Sequence, residues 1–184
     1  LPERVTGIDL INRIFPLAEE KGWKVPVTKD EFFALLDAIK ADGEYIPLAM
    51  GTHDLWEAAT MGWYNIGVQN YKGEEGRLGI INGTAKFTDE PFVKTFEELA
   101  KWAPYLPDGY QAVQYSDAQQ LFTMGKAAIY PTGSWEISVF EPLIAGEFEM
   151  GAFRVPMDKA DDPCFISDHT DIGIGMNSAT KYPE

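Results

Sequence analysis

The sequence predicts an α/β fold in which short apolar strands alternate with amphipathic helices in layers. Three observations carry this. Residues 29–41 place Phe32, Leu35, Leu36 and Ile39 on one helical face, behind a Thr28–Glu31 capping box and ahead of Gly43. Tyr45 to Met50 is an apolar run bounded by glycine, and so reads as a buried strand. The stretch Asp117 to Trp135, DAQQLFTMGKAAIYPTGSW, joins a helix, a buried strand over Ala127 to Tyr130 and the start of a second helix in one short unit.

The remaining elements follow in order. Gly51-Thr52-His53-Asp54 forms a loop after the first strand and feeds a helix from about Leu55 to Ile66. Gly73 to Gly83 is glycine-rich and charged, which predicts a surface loop or hairpin. Thr88, Asp89 and Pro91 start a helix whose Phe92, Val93, Phe96, Leu99 and Ala103 recur at helical spacing until Pro104. Ser116 and Gln119 offer a capping box for the next helix, and Gly125 a left-handed stop. Pro131, Thr132 and Gly133 turn the chain, and Ser134 is placed to cap a helix carrying Trp135 in its first turn. Met150 to Val155 and Ile172 to Met176 read as strands, separated by a polar loop with Pro156, Asp161, Asp162 and Pro163.

Composition narrows the function classes. At 184 residues, 45% of them hydrophobic and 24% charged, the chain can bury one good core or two small lobes. With 29 acidic against 15 basic residues, the formal charge of −14 argues against a nucleic-acid backbone or an anionic membrane as partner. It fits a neutral or cationic ligand. No apolar run approaches the length needed to span a bilayer. Cys164 is the single cysteine, so an internal disulfide is excluded and cysteine usage leaves the compartment open. Both ends read as cut: the chain opens at Leu1-Pro2, and closes on Asn177 to Glu184, a cap and first turn of a helix that does not follow.

Laid end to end, these pieces resemble the extracellular solute-binding proteins of ABC importers, of the maltose-binding-like, family 1 sugar-binding type. Leu1-Pro2, Gly7 and Ile11-Asn12-Arg13-Ile14-Phe15 are similar to the segment with which that family crosses between lobes, with Ile11 in place of its usual tyrosine. Gly22 to Phe32 is similar to its Pro-x-Thr-x-(Asp/Glu)-Glu-Phe helix start. Phe122 to Ile129 and Gly133-Ser134-Trp135 match its run of Phe-x-x-Gly-Lys-Ala-Ala-Met followed by Gly-x-Trp. Gly151, Val155-Pro156 and Gly173 to Lys181 match its strand returning to the first lobe.

The resemblance implies a periplasmic-binding-protein-like lobe, a mixed sheet flanked by helices. Residues 1–150 would form the second lobe with the hinge entry, and residues 151–184 the hinge return and part of the first lobe. It further implies a sugar ligand held between lobes, a membrane permease as partner and a periplasmic or extracellular location, free or anchored to the membrane outside the cell. No cofactor or metal, no nucleic acid, no chemistry on the ligand and a monomeric state are expected.

Trp135 matches the family's sugar-stacking tryptophan, and an indole face packs well on sugar C–H groups; the alternative is a core tryptophan near a helix start. Thr52, His53 and Asp54 lie in the loop where the family places polar ligand contacts, although Asp54 as a helix cap and His53 as a solvated side chain explain them equally. Trp56 either lines the cleft or faces the core. Asp168 and His169 precede the returning strand where the family has small residues; Asp168 or Asp171 accepts from vicinal hydroxyls or solvates a turn. Arg4, beside Glu3 in the presumed hinge, reaches the ligand or forms a surface ion pair. Glu136 has a sufficient explanation in the helix dipole.

Three other functions compete. A glycoside-active enzyme needs two carboxylates across a scissile bond, and no Gly-x-Ser-x-Gly, phosphate loop or His-Glu-x-x-His supports catalysis. The same fold with an acidic, aromatic cleft suits a polyamine or other small cationic solute. A pure protein-interaction module is the third.

Overall fold

The computed structural model describes residues 10–12, 20–168 and 174–182, with the backbone only of Leu10–Asn12. At its centre is a mixed sheet of four strands among the described residues: β1 (Leu10–Asn12), β2 (Ile46–Leu48), β3 (Ala127–Pro131) and β4 (Gly151–Phe153), in the order β2-β3-β1-β4. β2 and β3 run parallel, with Ile46 opposite Ala127 and Leu48 opposite Ile129. β1 is antiparallel to both neighbours; Leu10 pairs with Pro131 on one side and with Phe153 on the other. A crossover between parallel strands requires helices, and they supply the flanking layers.

α1 (Lys29–Asp42) forms as its capping box requires. The Glu31 amide donates to Thr28 Oγ1 at 3.3 Å, and the Val27 and Thr28 amides donate to Glu31 Oε2 at 2.8 and 3.0 Å. Gly43, at φ 76°, ends the helix in the left-handed region and donates to the Ile39 carbonyl. The face carrying Phe32, Leu35, Leu36 and Ile39 is buried. β3 is buried throughout, and Tyr130 meets Phe140 at 5.1 Å and Phe122 at 5.9 Å between ring centroids. Phe122 lies on α5 (Tyr115–Thr123) and Phe140 on α6 (Trp135–Ile144), so both helices pack on β3 through one aromatic cluster.

Several elements differ from the sequence expectation. The helix expected over 55–66 starts at Trp56, winds as a π-helix over Ala58–Tyr64 and continues as α2 (Asn65–Asn70). Glu74–Ile81 is a helix, α3, rather than a loop or hairpin: Glu74 and Glu75 sit in its first turn, and Arg77 pairs with Glu74 through two bonds of 2.6 Å. α4 (Glu90–Ala100) buries Phe92, but leaves Val93 and Phe96 exposed. The cap of α5 is Gln114 with Asp117, two residues before the Ser116–Gln119 pair. Ser134 begins α6 without a side-chain cap bond. Residues 174–176 have no regular structure, and the rest of the strand expected there lies outside the described residues.

Among the described residues no helix is long and apolar enough to cross a membrane.

Candidate functional site

The parallel strands β2 and β3 both end at the same edge of the sheet, and the loops that follow converge there. This is where ligands bind in open α/β sheets. After β2, the chain runs through Gly51 to Asp54. The Thr52 amide donates to the Tyr110 carbonyl at 3.0 Å, and the His53 amide donates to the Val113 carbonyl at 3.2 Å. Gly51 packs against the backbone of Val113 so closely that any Cβ there would overlap its carbonyl. The 51–54 loop is therefore clamped to the segment that leads into α5.

Asp54 is the joint of this clamp. Its Oδ2 accepts the Tyr115 backbone amide at 2.8 Å, and its Oδ1 lies 3.2 Å from His53 Nδ1. These contacts hold the Asp54 carboxyl below the ordinary carboxylate range. The Asp54 side chain thus caps α5 across the fold rather than the helix that follows it in sequence.

Tyr115 gathers the remaining groups. Trp56 meets its ring edge-on at 4.7 Å, and Trp135 donates its indole Nε1–H to the Tyr115 hydroxyl at 3.2 Å. The Tyr115 hydroxyl in turn donates to Glu136, whose two oxygens also accept from Gln119 Nε2 at 3.0 and 2.9 Å. Trp56 is 39% exposed and Trp135 is half-buried, so two indoles are presented at the edge where β2 and β3 end.

Beneath them is an acidic layer that sequence reasoning missed. Glu57 and Glu136 are both fully buried. Burial pushes Glu136 above its ordinary pKa, against the bonds from Tyr115 and Gln119. Glu57 is pushed up to about 7, first by burial and then by the neighbouring Asp54 charge, with a nearby Gly51 amide opposing. Neither Glu57 oxygen makes a hydrogen bond of normal geometry among the described residues, and the Tyr130 and Thr132 hydroxyls are buried and unpartnered as well. Glu136 lies in the first turn of α6, as the helix-dipole reading expects, and in addition serves a hydrogen-bonded network. The only trace in the sequence was its place beside Trp135.

Of the candidate residues, Asp54, Trp56 and Trp135 contact Tyr115, and Thr52 and His53 are held next to Asp54 through the Tyr110 and Val113 carbonyls. Asp168 lines a different cavity, with Trp63, Tyr64 and Tyr71. Arg4 and His169 lie outside the described residues.

The sequence profile of the bacterial extracellular solute-binding proteins matches residues 12–184. A multiple sugar-binding protein of Streptococcus mutans is 28% identical over 176 residues, covering 89% of this chain and 40% of that protein. A probable sugar-binding periplasmic protein of Mesorhizobium japonicum is 32% identical over 116 residues, covering 62% of this chain and 27% of that one. Among solved structures, a chitin oligosaccharide binding protein superposes with a TM-score of 0.69 at 26% identity, covering 85% of this chain and 41% of its own. The chain thus spans about 40% of the length of the first of these relatives.

Proposed function

The chain belongs to the bacterial extracellular solute-binding protein family, and from that premise we propose that it forms part of the substrate-binding component of an ABC importer that captures a mono- or oligosaccharide in a cleft between two lobes. The observation that carries the reading is the pair of indoles, Trp135 and Trp56, locked through Tyr115 at the edge where β2 and β3 end. Sugar C–H faces pack on such rings, and His53, Asp54 and Thr52 stand beside them as polar partners for hydroxyls. Sugar-binding names among the relatives support the same class of ligand.

On this reading residues 1–150 form the second lobe with its hinge entry, and residues 151–184 return through the hinge towards the first. The chain supplies about one wall of the cleft. Closure is the working step: a ligand that binds both walls better when they are together shifts the hinge equilibrium, and the permease recognises the closed form. The protein acts outside the inner membrane as a monomer, performs no chemistry on its cargo and needs no cofactor.

Isothermal titration of the intact protein, wild type and Trp135→Ala, against mono- and disaccharides and putrescine tests this. Saturable binding of a sugar that the substitution reduces at least tenfold, with unfolding unchanged, is the expected result. Sugar binding untouched by the substitution removes Trp135 from the site. The buried acids Glu57 and Glu136 beneath the aromatic rings favour one second reading, a small cationic solute. Binding of putrescine alone, weakened by salt, would establish that reading instead.

A further inference from the structure

We propose that the 51–54 loop is a proton-operated latch beside Trp56 and Trp135: with Glu57 neutral the loop stays clamped to the start of α5, and charging Glu57 releases it and weakens capture of the ligand. The effect on capture rests on the sugar-binding reading above and adds a regulation of that site.

The clamped loop is strained. Leu55, between Asp54 and Trp56, has φ 61°, in the left-handed region that leucine rarely adopts. Its side chain is 79% exposed, so packing does not hold it there. Hydrogen bonds do. Within the turn, the Leu55 amide donates to the Thr52 carbonyl at 3.2 Å and the Trp56 amide to the Asp54 carbonyl at 2.6 Å. Across to the segment before α5, the Thr52 and His53 amides donate to the Tyr110 and Val113 carbonyls, and the Tyr115 amide donates to Asp54 Oδ2 at 2.8 Å. Of these bonds, the one from Tyr115 ends on an ionised side chain, and so is the one that a nearby change of charge alters. Release lets Leu55 return to an ordinary backbone conformation, so the strain favours the open form.

Glu57 is placed to act on that bond. It follows Asp54 by three residues and is fully buried, and neither of its oxygens has a hydrogen-bond partner of normal geometry among the described residues. Facing it are Asp54, His53 and the Gly51 amide of the loop, Asp117 and Tyr115 of α5, and the Tyr130 hydroxyl of β3, with Glu136 of α6 joined through Tyr115. Burial first and Asp54 second push Glu57 up to about 7, while His53 and the Gly51 amide oppose. A neutral Glu57 leaves the Asp54 carboxylate on the Tyr115 amide. An ionised Glu57 is a second negative charge in a buried position without partners, and opening the loop both hydrates it and separates it from Asp54. From about 4.5 upwards the open loop gives up a proton that the clamped loop keeps, so clamping weakens as the pH rises to about 7 and levels off above. Trp56 lies between Leu55 and Glu57, so the same movement shifts an indole of the proposed sugar site.

The test is amide hydrogen exchange and sugar titration of the intact protein at pH 5.5 and pH 8, as wild type, Glu57→Gln and His53→Gln, with glucose, galactose, maltose and lactose as the sugars. Corrected for the intrinsic pH dependence of exchange, protection of the Tyr115 amide should fall at least fivefold from pH 5.5 to pH 8 in the wild type and in His53→Gln, and stay constant in Glu57→Gln. At both pH values it should lie at least tenfold below that of the Ala49 amide, which is bonded to the Ile129 carbonyl at 2.8 Å within the sheet. Affinity for a sugar that binds should fall at least threefold over the same interval in the wild type and stay constant in Glu57→Gln. Equal protection of Tyr115 and Ala49 would mean that only global unfolding opens the loop, and a pH dependence that survives Glu57→Gln or vanishes in His53→Gln would assign the titration to another group; each overturns the latch. An affinity that is flat with pH, yet lost in Trp135→Ala, overturns control of capture while the sugar-binding reading stands. A Tyr115 amide that responds as expected in a protein that binds none of the sugars supports the latch and counts against the sugar-binding reading.

Discussion

The indole of Trp135 folds back over Gly133, so that a Cβ built on the glycine would overlap the Cε3, Cζ3 and Cη2 atoms of the ring. The glycine is required here for space, since the ring occupies the volume of its missing side chain. Gly133→Ala should swing the indole away and break its 3.2 Å bond to the Tyr115 hydroxyl. On the proposed sugar-binding function, affinity measured by titration should fall at least tenfold, with a loss of stability of about 1–3 kcal/mol from the local overpacking. Unchanged affinity would show that the position of the ring does not matter to the ligand.

Tyr115 links the aromatic layer to the acids below it. Tyr115→Phe keeps the edge-on contact with Trp56 but removes the hydroxyl that accepts from Trp135 and donates to Glu136, leaving that buried carboxyl one donor short, with Gln119 and the Trp135 indole beside it. Chemical denaturation should show a loss of about 1–3 kcal/mol, the cost of an under-satisfied buried group. The loss should be smaller near pH 5, because burial already raises the Glu136 pKa and a protonated carboxyl needs fewer donors. An equal loss at pH 5 and pH 8 would argue against this account.

What could be read in the sequence follows from how local each signal is. α1 was legible because its cap, apolar face and stop all lie within Thr28 to Gly43, and each structural role is filled by the residue type that favours it. α3 was missed because Gly76 and Gly79 outweighed the charge pattern. Gly76 is needed for a close approach of the preceding turn, a Cβ there running into Tyr71. The cap of α5 slipped by two residues because Gln114 did the work normally given to serine. Trp135 and the 51–54 loop could be found because they follow strands, whereas Tyr115 and Glu57 could not. Tyr115 matters through Glu136, 21 residues away, and the burial of Glu57 is set by the whole layer above it.

At the start of α1, Lys29 joins three elements. Its ammonium lies 2.9 Å from Glu98 on α4, 2.8 Å from Asn70 on α2 and 2.9 Å from Asp158. Lys29 and Glu98 are largely buried, so this is not a solvent-weakened surface pair. Lys29→Met should cost about 2–4 kcal/mol, because it leaves Glu98 buried with Asn70 and a distant Lys94 at 3.8 Å as partners. The double variant Lys29→Met/Glu98→Leu should recover part of that loss in thermal unfolding. No recovery would mean that the cost comes from lost packing of the lysine stem and not from the stranded carboxylate.

The Glu57 carboxyl makes the stability of this fold depend on pH in a defined direction. Its pKa is pushed up to about 7 in the fold, mainly by burial and secondly by Asp54 with a smaller push from Asp117, while His53 opposes. From an ordinary value of 4.5 upwards the unfolded chain gives up a proton that the folded chain keeps. Stability therefore falls as the pH rises from about 4.5 to about 7 and levels off above, by at most about 3 kcal/mol. Glu57→Gln keeps the shape of the neutral acid and removes the ionisation. Its urea midpoint should match the wild type near pH 5 and exceed it at pH 8. Midpoints that run parallel for both proteins from pH 5 to pH 8 would show that Glu57 does not titrate there.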